Sequence, residues 1–297
     1  MNASTISEPE LSPRRPGVLR RGGVRRLLRA PVLVWISAAV LLVAVISALG
    51  APWLAPYDPD AIDLLGIYSG PSPQHWLGTD GLGRDLLSRM MYGARTTLLG
   101  PLVVVLGSTA AGMLLGLLAG WRGGWVDALL ARIFDLLFAF PALLLAVLAV
   151  ALFGKGLLAP VIAMTIAYTP IVARLTRQLV IGEKQRAYIS AYRVQGFSGP
   201  WIALRRALPN VMPVVGAQST LNFGYVLAEL AGLSFLGLGV QAPQADWGSM
   251  INEAQVALLS GHYLPALVPA VAVVLVVVAV NVLGEEFAER IGGGAAS

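Results

Sequence analysis

The chain has 297 residues, 57% hydrophobic and only 12% charged, with a mean hydropathy of +0.73; this is too apolar for an ordinary water-soluble domain and implies a membrane protein. Its net charge of +5 is spread over basic clusters that flank apolar runs, which carry topology and attract anionic lipid rather than nucleic acid. The absence of cysteine excludes disulfides, thiolate metal ligands and cysteine nucleophiles.

Residues 1–30 read as a polar, basic arm in which Arg14, Arg15, Arg20, Arg21, Arg25, Arg26 and Arg29 precede the first apolar run. The uncharged stretch 31–54 is long enough to cross the bilayer. It exceeds the roughly 7–15 residues of a secretory signal core, so it is predicted to be a retained span with its amino terminus inside.

Residues 55–95 contain many Pro and Asp residues and are placed outside the bilayer as a loop and cap. Asp80, Gly81 and Gly83 predict a turn, after which Asp85 enters the first turn of a helix and Leu86, Met90 and Gly93 share a face. Arg84 and Asp85 are expected to pair with neighbouring loop groups. His75, Trp76, Asp80, Arg84, Asp85 and Arg89 are read as a packed external cap and not as a metal or catalytic site, because no nucleophile or compact ligand set accompanies them. The segment QHWLGTDGLGRDLLSRMMYGARTTLLG resembles the one ahead of the second span in the dipeptide, oligopeptide and nickel permease subfamily of binding-protein-dependent ABC importers, second permease subunit type. His75, Trp76, Leu77, Gly78, Thr79, Asp80, Gly83, Arg84, Asp85, Ser88, Arg89, Gly93 and Arg95 carry the likeness.

The second span is predicted over 96–120, where Gly107, Ala111, Gly112, Gly116 and Gly120 offer small surfaces for close helix contact. A third follows over 129–153; its Asp135 and Pro141 face protein, water or the membrane boundary. After the short connection 154–156, a fourth span begins near Leu157. Pro170 is expected to kink or end it and to deliver Arg174 and Arg177 inside.

Residues 183–213 then interrupt the apolar sequence with charge, glycine and two short amphipathic patterns. Tyr188 and Tyr192 lie four apart on one helix face. Phe197-Ser198-Gly199-Pro200 makes a turn in which Ser198 can cap a second helix bearing Trp201, Leu204 and Leu208. This stretch resembles the EAA loop of ABC-importer permeases, whose core runs Glu-Ala-Ala, three variable residues, then Gly. Ser190 takes the Glu position, Ala191 and Tyr192 the two Ala positions, and Gly196 the Gly, with Leu208-Pro209-Asn210 at the family's Leu-Pro-Asn ending. The resemblance implies an ATPase-coupling surface of Tyr188, Ser190, Ala191, Tyr192, Gly196, Trp201, Leu204 and Arg205. The serine cannot supply the carboxylate expected there, so either the socket differs or the loop is held differently.

The fifth span, from about Asn210, carries Gln218, Ser219, Thr220, Asn222 and Glu229, which suits a helix buried in a bundle. Asn222 and Glu229 read either as helix packing or as part of a translocation path. Residues 227–250 again resemble the peptide and nickel subfamily, and Trp247 suits an outer membrane interface. Residues 251–263 return to the bilayer, a sixth span covers about 264–283, and 285–297 form a tail.

The expected fold is thus an all-α integral membrane protein with six transmembrane helices, the last five (96–284) forming a type I ABC-importer (MetI-like) permease core with a cytoplasmic EAA-type coupling loop. In this arrangement only Arg84, Arg89, Arg95 and Lys155 among the 21 Lys and Arg stand outside, so both termini are cytoplasmic. No GxxxxGK[ST] phosphate loop occurs; the chain is not expected to bind a cofactor, and ATP and Mg belong on partner ATPase subunits. The resemblance implies a homologous permease subunit, two cytoplasmic ATPase subunits or domains, an extracytoplasmic solute-binding protein and lipid as partners, in a prokaryotic cytoplasmic membrane. Peptides are the leading substrate, with nickel or another small solute as the alternative. A non-transport scaffold leaves the two motifs without a purpose, and a secondary transporter calls for an ion-coupling site or repeated halves that are not evident.

Overall fold

The computed structural model describes residues 32–295, with side chains to 290. The basic arm 1–30 and the last two residues of the predicted tail lie outside the described residues. Among these residues the regular structure is all helix apart from one isolated bridge between Thr79 and Asp85, and residues 55–85 and 236–246 are irregular.

Helix α1 (Val32–Leu54) is apolar on every face and exposes most of its large side chains, as a helix in lipid does. Its buried stripe is small, Ser37, Ala44, Ala48 and Ala51, which lets neighbouring backbones approach closely. Helix α2 (Leu86–Arg122) has 37 residues, about 55 Å at 1.5 Å each. It begins ten residues ahead of the predicted second span because the Asp85 side chain caps it, accepting from the Ser88 N–H. Its first turns therefore belong to the cap.

The predicted third span is broken. α3 (Gly124–Phe138) and α4 (Ala142–Phe153) meet at 78°. Pro141 has no N–H and disfavours helical geometry at Phe140, so the bend falls at residues 139–141.

Helix α5 (Leu158–Lys184) continues past Pro170, which is buried inside it, so the proline does not end the helix. The cost of an interior proline, about 3 kcal/mol, is offset by packing along α2. A methyl group on Gly116 would meet Ala173 O at 2.4 Å, one on Gly112 would meet Thr169 O at 2.9 Å, and one on Gly120 would meet Arg177 O at 2.9 Å. The two backbones thus touch along a glycine seam, and α2 and α5 run side by side in the same direction.

Short α6 (Ala187–Val194) and α7 (Gly199–Ile202) follow, then a widened helical turn, Ala203–Ala207, leading into α8 (Leu208–Phe235). The widened turn closes with Leu208 N–H on Ala203 O, one residue before Pro209, which has no N–H to donate. α9 (Trp247–Glu253), α10 (Gln255–Leu259) and α11 (Leu264–Ala295) complete the chain. Residues 251–263 are thus not a bare approach to the membrane but hold the end of α9, all of α10 and a turn.

Among the described residues four helices, α1, α2, α5 and α11, are long and apolar enough to cross a membrane, and the bent pair makes five if it is one span. Helix α8 is 28 residues long but falls short in apolarity because of Gln218, Asn222 and Glu229. Gly224 lies against Asn281 and Gly284 against Leu221, so α8 runs antiparallel to α11.

The core has two main parts. One joins Ala44 and Ala48 of α1, Leu86 and Ala94 of α2, Trp247 and Met250 of α9, and Val276 and Val280 of α11. The other joins Val104 of α2, Val150 of α4, Met164 of α5 and Leu233 of α8.

Candidate functional site

Two polar assemblies sit at opposite ends of α2. At the end where α2 begins, the loop from 55 to 85 is wound onto the helix start. Asp85 accepts from Ser88 N–H at 2.7 Å and Ser88 Oγ at 2.8 Å, while its other oxygen lies 2.9 Å from His75 Nδ1. Asp80 accepts from the N–H groups of Leu82 (2.9 Å) and Arg84 (3.0 Å) and pairs with Arg84 Nε at 2.7 Å. Arg84 and Arg89 both reach Glu253 Oε2, at 2.6 and 3.0 Å. Arg89 is completely buried, which a guanidinium tolerates only when its charge is matched. Gly78 and Gly83 hold φ of +82° and +73°; a side chain on Gly83 would also strike Asp63 O at 1.8 Å.

This loop brings His75 against Asp85, and Arg84 and Arg89 against Asp80, but leaves Trp76 71% exposed. The sequence reading missed Glu253 and Asp246. Asp246 accepts from Thr97 Oγ1 at 2.8 Å, caps α9 through Ser249 N–H and is held above the ordinary carboxylate range by burial. Its place directly before Trp247-Gly248 was the available signal for a cap. Trp247, read as an interface anchor, is instead 3% exposed and donates from Nε1 to Met90 O at 3.0 Å.

At the other end, α6, α7 and the widened turn form a hairpin slung between α5 and α8. Gly196 (φ +85°) ends α6, with Phe197 N–H returning to Tyr192 O at 3.1 Å. Ser198 stands at the cap position of α7 without a side-chain bond. Ile189 and Ile202, neither singled out from the sequence, are fully buried and fasten the hairpin inward. Tyr192, Phe197 and Trp201 make one aromatic cluster, with ring centroids 5.5 Å (192–197), 5.9 Å (192–201) and 4.4 Å (197–201) apart. Arg206, not Arg205, lies over it, 4.8 Å from Tyr192 and 5.5 Å from Trp201.

Ser190, Ala191, Leu204 and Arg205 are exposed. Tyr188 turns the other way, donating to Glu183; its hydroxyl is pushed up to about 12, first by burial and then by that bond. The exposed hairpin surface is therefore aromatic, aliphatic and basic, with no carboxylate between Lys184 and Pro213.

Beside the hairpin, α3 is tied to α5 by Asp127–Arg177 and Asp135–Arg174 ion pairs, and Arg174 stacks 4.2 Å from the Phe138 ring centroid. Between the two ends, Asn222 and Glu229 lie two turns apart on one face of α8, with Tyr168 beside Glu229. Asn222 Nδ2, Glu229 Oε2 and Asn281 Oδ1 are buried without a partner among the described residues.

The profile described as "Binding-protein-dependent transport system inner membrane component" matches residues 112–293, and "N-terminal TM domain of oligopeptide transport permease C" matches residues 21–71. The chain is 36% identical over 258 residues to the dipeptide transport system permease protein DppC of Alkalihalophilus pseudofirmus, covering 87% of this chain and 84% of that protein. It is 40% identical over 262 residues to the glutathione transport system permease protein GsiD of Pectobacterium atrosepticum (88% and 86% covered), and 40% over 261 residues to GsiD of Escherichia coli O157:H7 (88% and 86%).

Proposed function

The chain belongs to the family of binding-protein-dependent transport system inner membrane components, and from that premise we propose that it is a permease subunit of an ATP-driven importer that passes small peptides, of the dipeptide or glutathione type. It works beside a second permease subunit, two ATPase subunits that carry ATP and Mg, and an extracytoplasmic solute-binding protein. The observation that carries this reading is the hairpin 183–213. It presents an aromatic and basic surface at the joint of two long helices, so a force on it reaches both α5 and α8.

The membrane arrangement follows as part of the proposal. α8 is the polar fifth span and brings the number of spans to six, and its Asn222 and Glu229 line the bundle interior rather than lipid. With the hairpin cytoplasmic, the antiparallel course of α8 and α11 brings the end of α11 to the same side, as the basic arm 1–30 also requires. ATP-driven closure of the ATPase pair moves the hairpin and repacks the helices between inward- and outward-facing states. The cap braces the outer mouth.

Reconstitution tests this directly. The chain, its partner permease, the ATPases and the binding protein are assembled in proteoliposomes, and uptake of labelled dipeptides and glutathione is followed with and without ATP. ATP-dependent peptide uptake that requires every component is the expected result. Uptake driven by an ion gradient alone refutes the importer reading, and a binding protein that takes nickel complexes but no peptide refutes the substrate.

A further inference from the structure

We propose that Glu183, in the last turn of α5, is a positioning residue that clamps the hairpin from within, in place of the carboxylate missing at Ser190. This inference rests on the coupling role of the hairpin proposed above. Glu183 is 6% exposed, and it holds the only carboxylate from 183 to 213. Three groups converge on it. The Tyr188 hydroxyl of α6 donates to Oε1, Asn210 Nδ2 in the first turn of α8 donates to the same oxygen at 2.9 Å, and Arg186 Nε pairs with Oε2 at 2.9 Å. Asn210 Nδ2 also reaches the Tyr188 hydroxyl at 2.9 Å, closing a triangle in which each bond polarises the next.

The triangle joins the end of α5, the start of α6 and the start of α8, the three points at which the hairpin could swing. Next to it, Lys184 Nζ donates to Gly120 O (3.2 Å) and Trp121 O (2.8 Å) at the end of α2, so the same turn is locked to a fourth helix. A carboxylate at position 190 has no access to this point. Ser190 is two residues from Tyr188, about 200° around the helix, and it is exposed. With the clamp closed, a push on the hairpin moves α5 and α8 as one body; with it open, the hairpin pivots about Gln185 and Arg186 and the stroke is lost.

The test uses the assembled importer in lipid with Glu183→Gln, Tyr188→Phe, the double variant, and Glu183→Gln combined with Ser190→Glu. Tyr188→Phe retains Glu183 and the ring, so it remains informative if the glutamine variant assembles poorly. The readouts are permease–ATPase affinity and solute transported per ATP hydrolysed. Both single variants are expected to keep affinity within about threefold and to lower transport per ATP about tenfold. The double variant should be no worse than the poorer single one, and Ser190→Glu should restore nothing. Unimpaired transport per ATP in both single variants, additive losses, or restoration by Ser190→Glu overturns the clamp. A parallel Trp201→Ala variant separates the premise: if it docks and couples normally, the coupling role of the hairpin falls, whereas if it uncouples while the Glu183 and Tyr188 variants do not, only the clamp falls.

Discussion

Replacing Glu253 with alanine strips two buried guanidiniums of the acceptor they share. Arg84 and Arg89 have side chains 7% and 1% exposed, against 32% for Glu253. Removing one partner of a fully buried ion pair costs about 3–5 kcal/mol because the other charge is left without compensation. Two features lower the figure here. Asp80 stays 2.7 Å from Arg84 Nε and 3.6 Å from Arg89 Nε, and solvent already reaches a third of Glu253, which screens the pair. The expected loss is therefore about 2–3 kcal/mol, a shift of roughly 30- to 150-fold in the folded ratio. Denaturant titration of the purified permease in lipid–detergent micelles measures it, with Glu253→Gln as the intermediate case that keeps an oxygen acceptor without the charge. A Glu253→Ala protein within about 0.5 kcal/mol of wild type, the range of an ordinary surface substitution, would show that the cap does not hold Arg89 in place and refute the account of its burial.

At the hairpin, Trp201→Ala is expected to weaken ATPase docking by about 1–4 kcal/mol at matched protein levels, and Arg205→Ala to cause a smaller defect that deepens at low salt; unchanged affinity in the tryptophan variant refutes its part in docking. The neutral Tyr188 phenol is favoured in the folded hairpin, since its folded value of about 12 exceeds the ordinary phenol value of 10.0. That stabilisation is complete below pH 10.0 and is lost as pH rises from there to about 12. The ultraviolet titration difference between wild type and Tyr188→Phe isolates this phenol, and a midpoint near 10 would contradict the described contact. Gly116→Ala forces a methyl group against Ala173 O and should cost about 1–3 kcal/mol in thermal unfolding of the lipid-embedded protein; an unchanged transition would mean that α2 and α5 separate without penalty.

What the sequence made legible was what local chemistry decides. Asp85 stands at the start of α2, Gly196 ends α6, and the small residues of α2 face a neighbour, because turn geometry, capping and side-chain size act within a few residues. The break before α4 was harder to see. Apart from Arg132 and Asp135, residues 129–153 are almost wholly apolar, and apolarity alone does not separate one straight span from two helices meeting at 78°; Pro141 was visible, but its effect depended on the exposed setting of residues 139–141. Pro170 is the converse case, in which α2 lies along the helix and keeps it whole. Glu183 and Glu253 were passed over because each is a lone acid whose partners include residues 27 and 169 positions away, and spacing along the chain carries no trace of such a meeting.

The glycine seam divides the freedom to change unequally between the helices that share it. At Gly112, Gly116 and Gly120 the nearest obstacles include backbone carbonyls of α5, those of Thr169, Ala173 and Arg177, which no substitution can trim. At Gly107 the obstacle is the Thr165 side chain alone, 2.9 Å away at its methyl group. A larger residue at 107 is therefore rescuable by Thr165→Ser, whereas no second change on α5 can make room at 116. Sequence drift along this contact has a direction: the upper part can exchange bulk between helices in compensated pairs, while the lower part, nearer the hairpin, has no neutral route away from glycine.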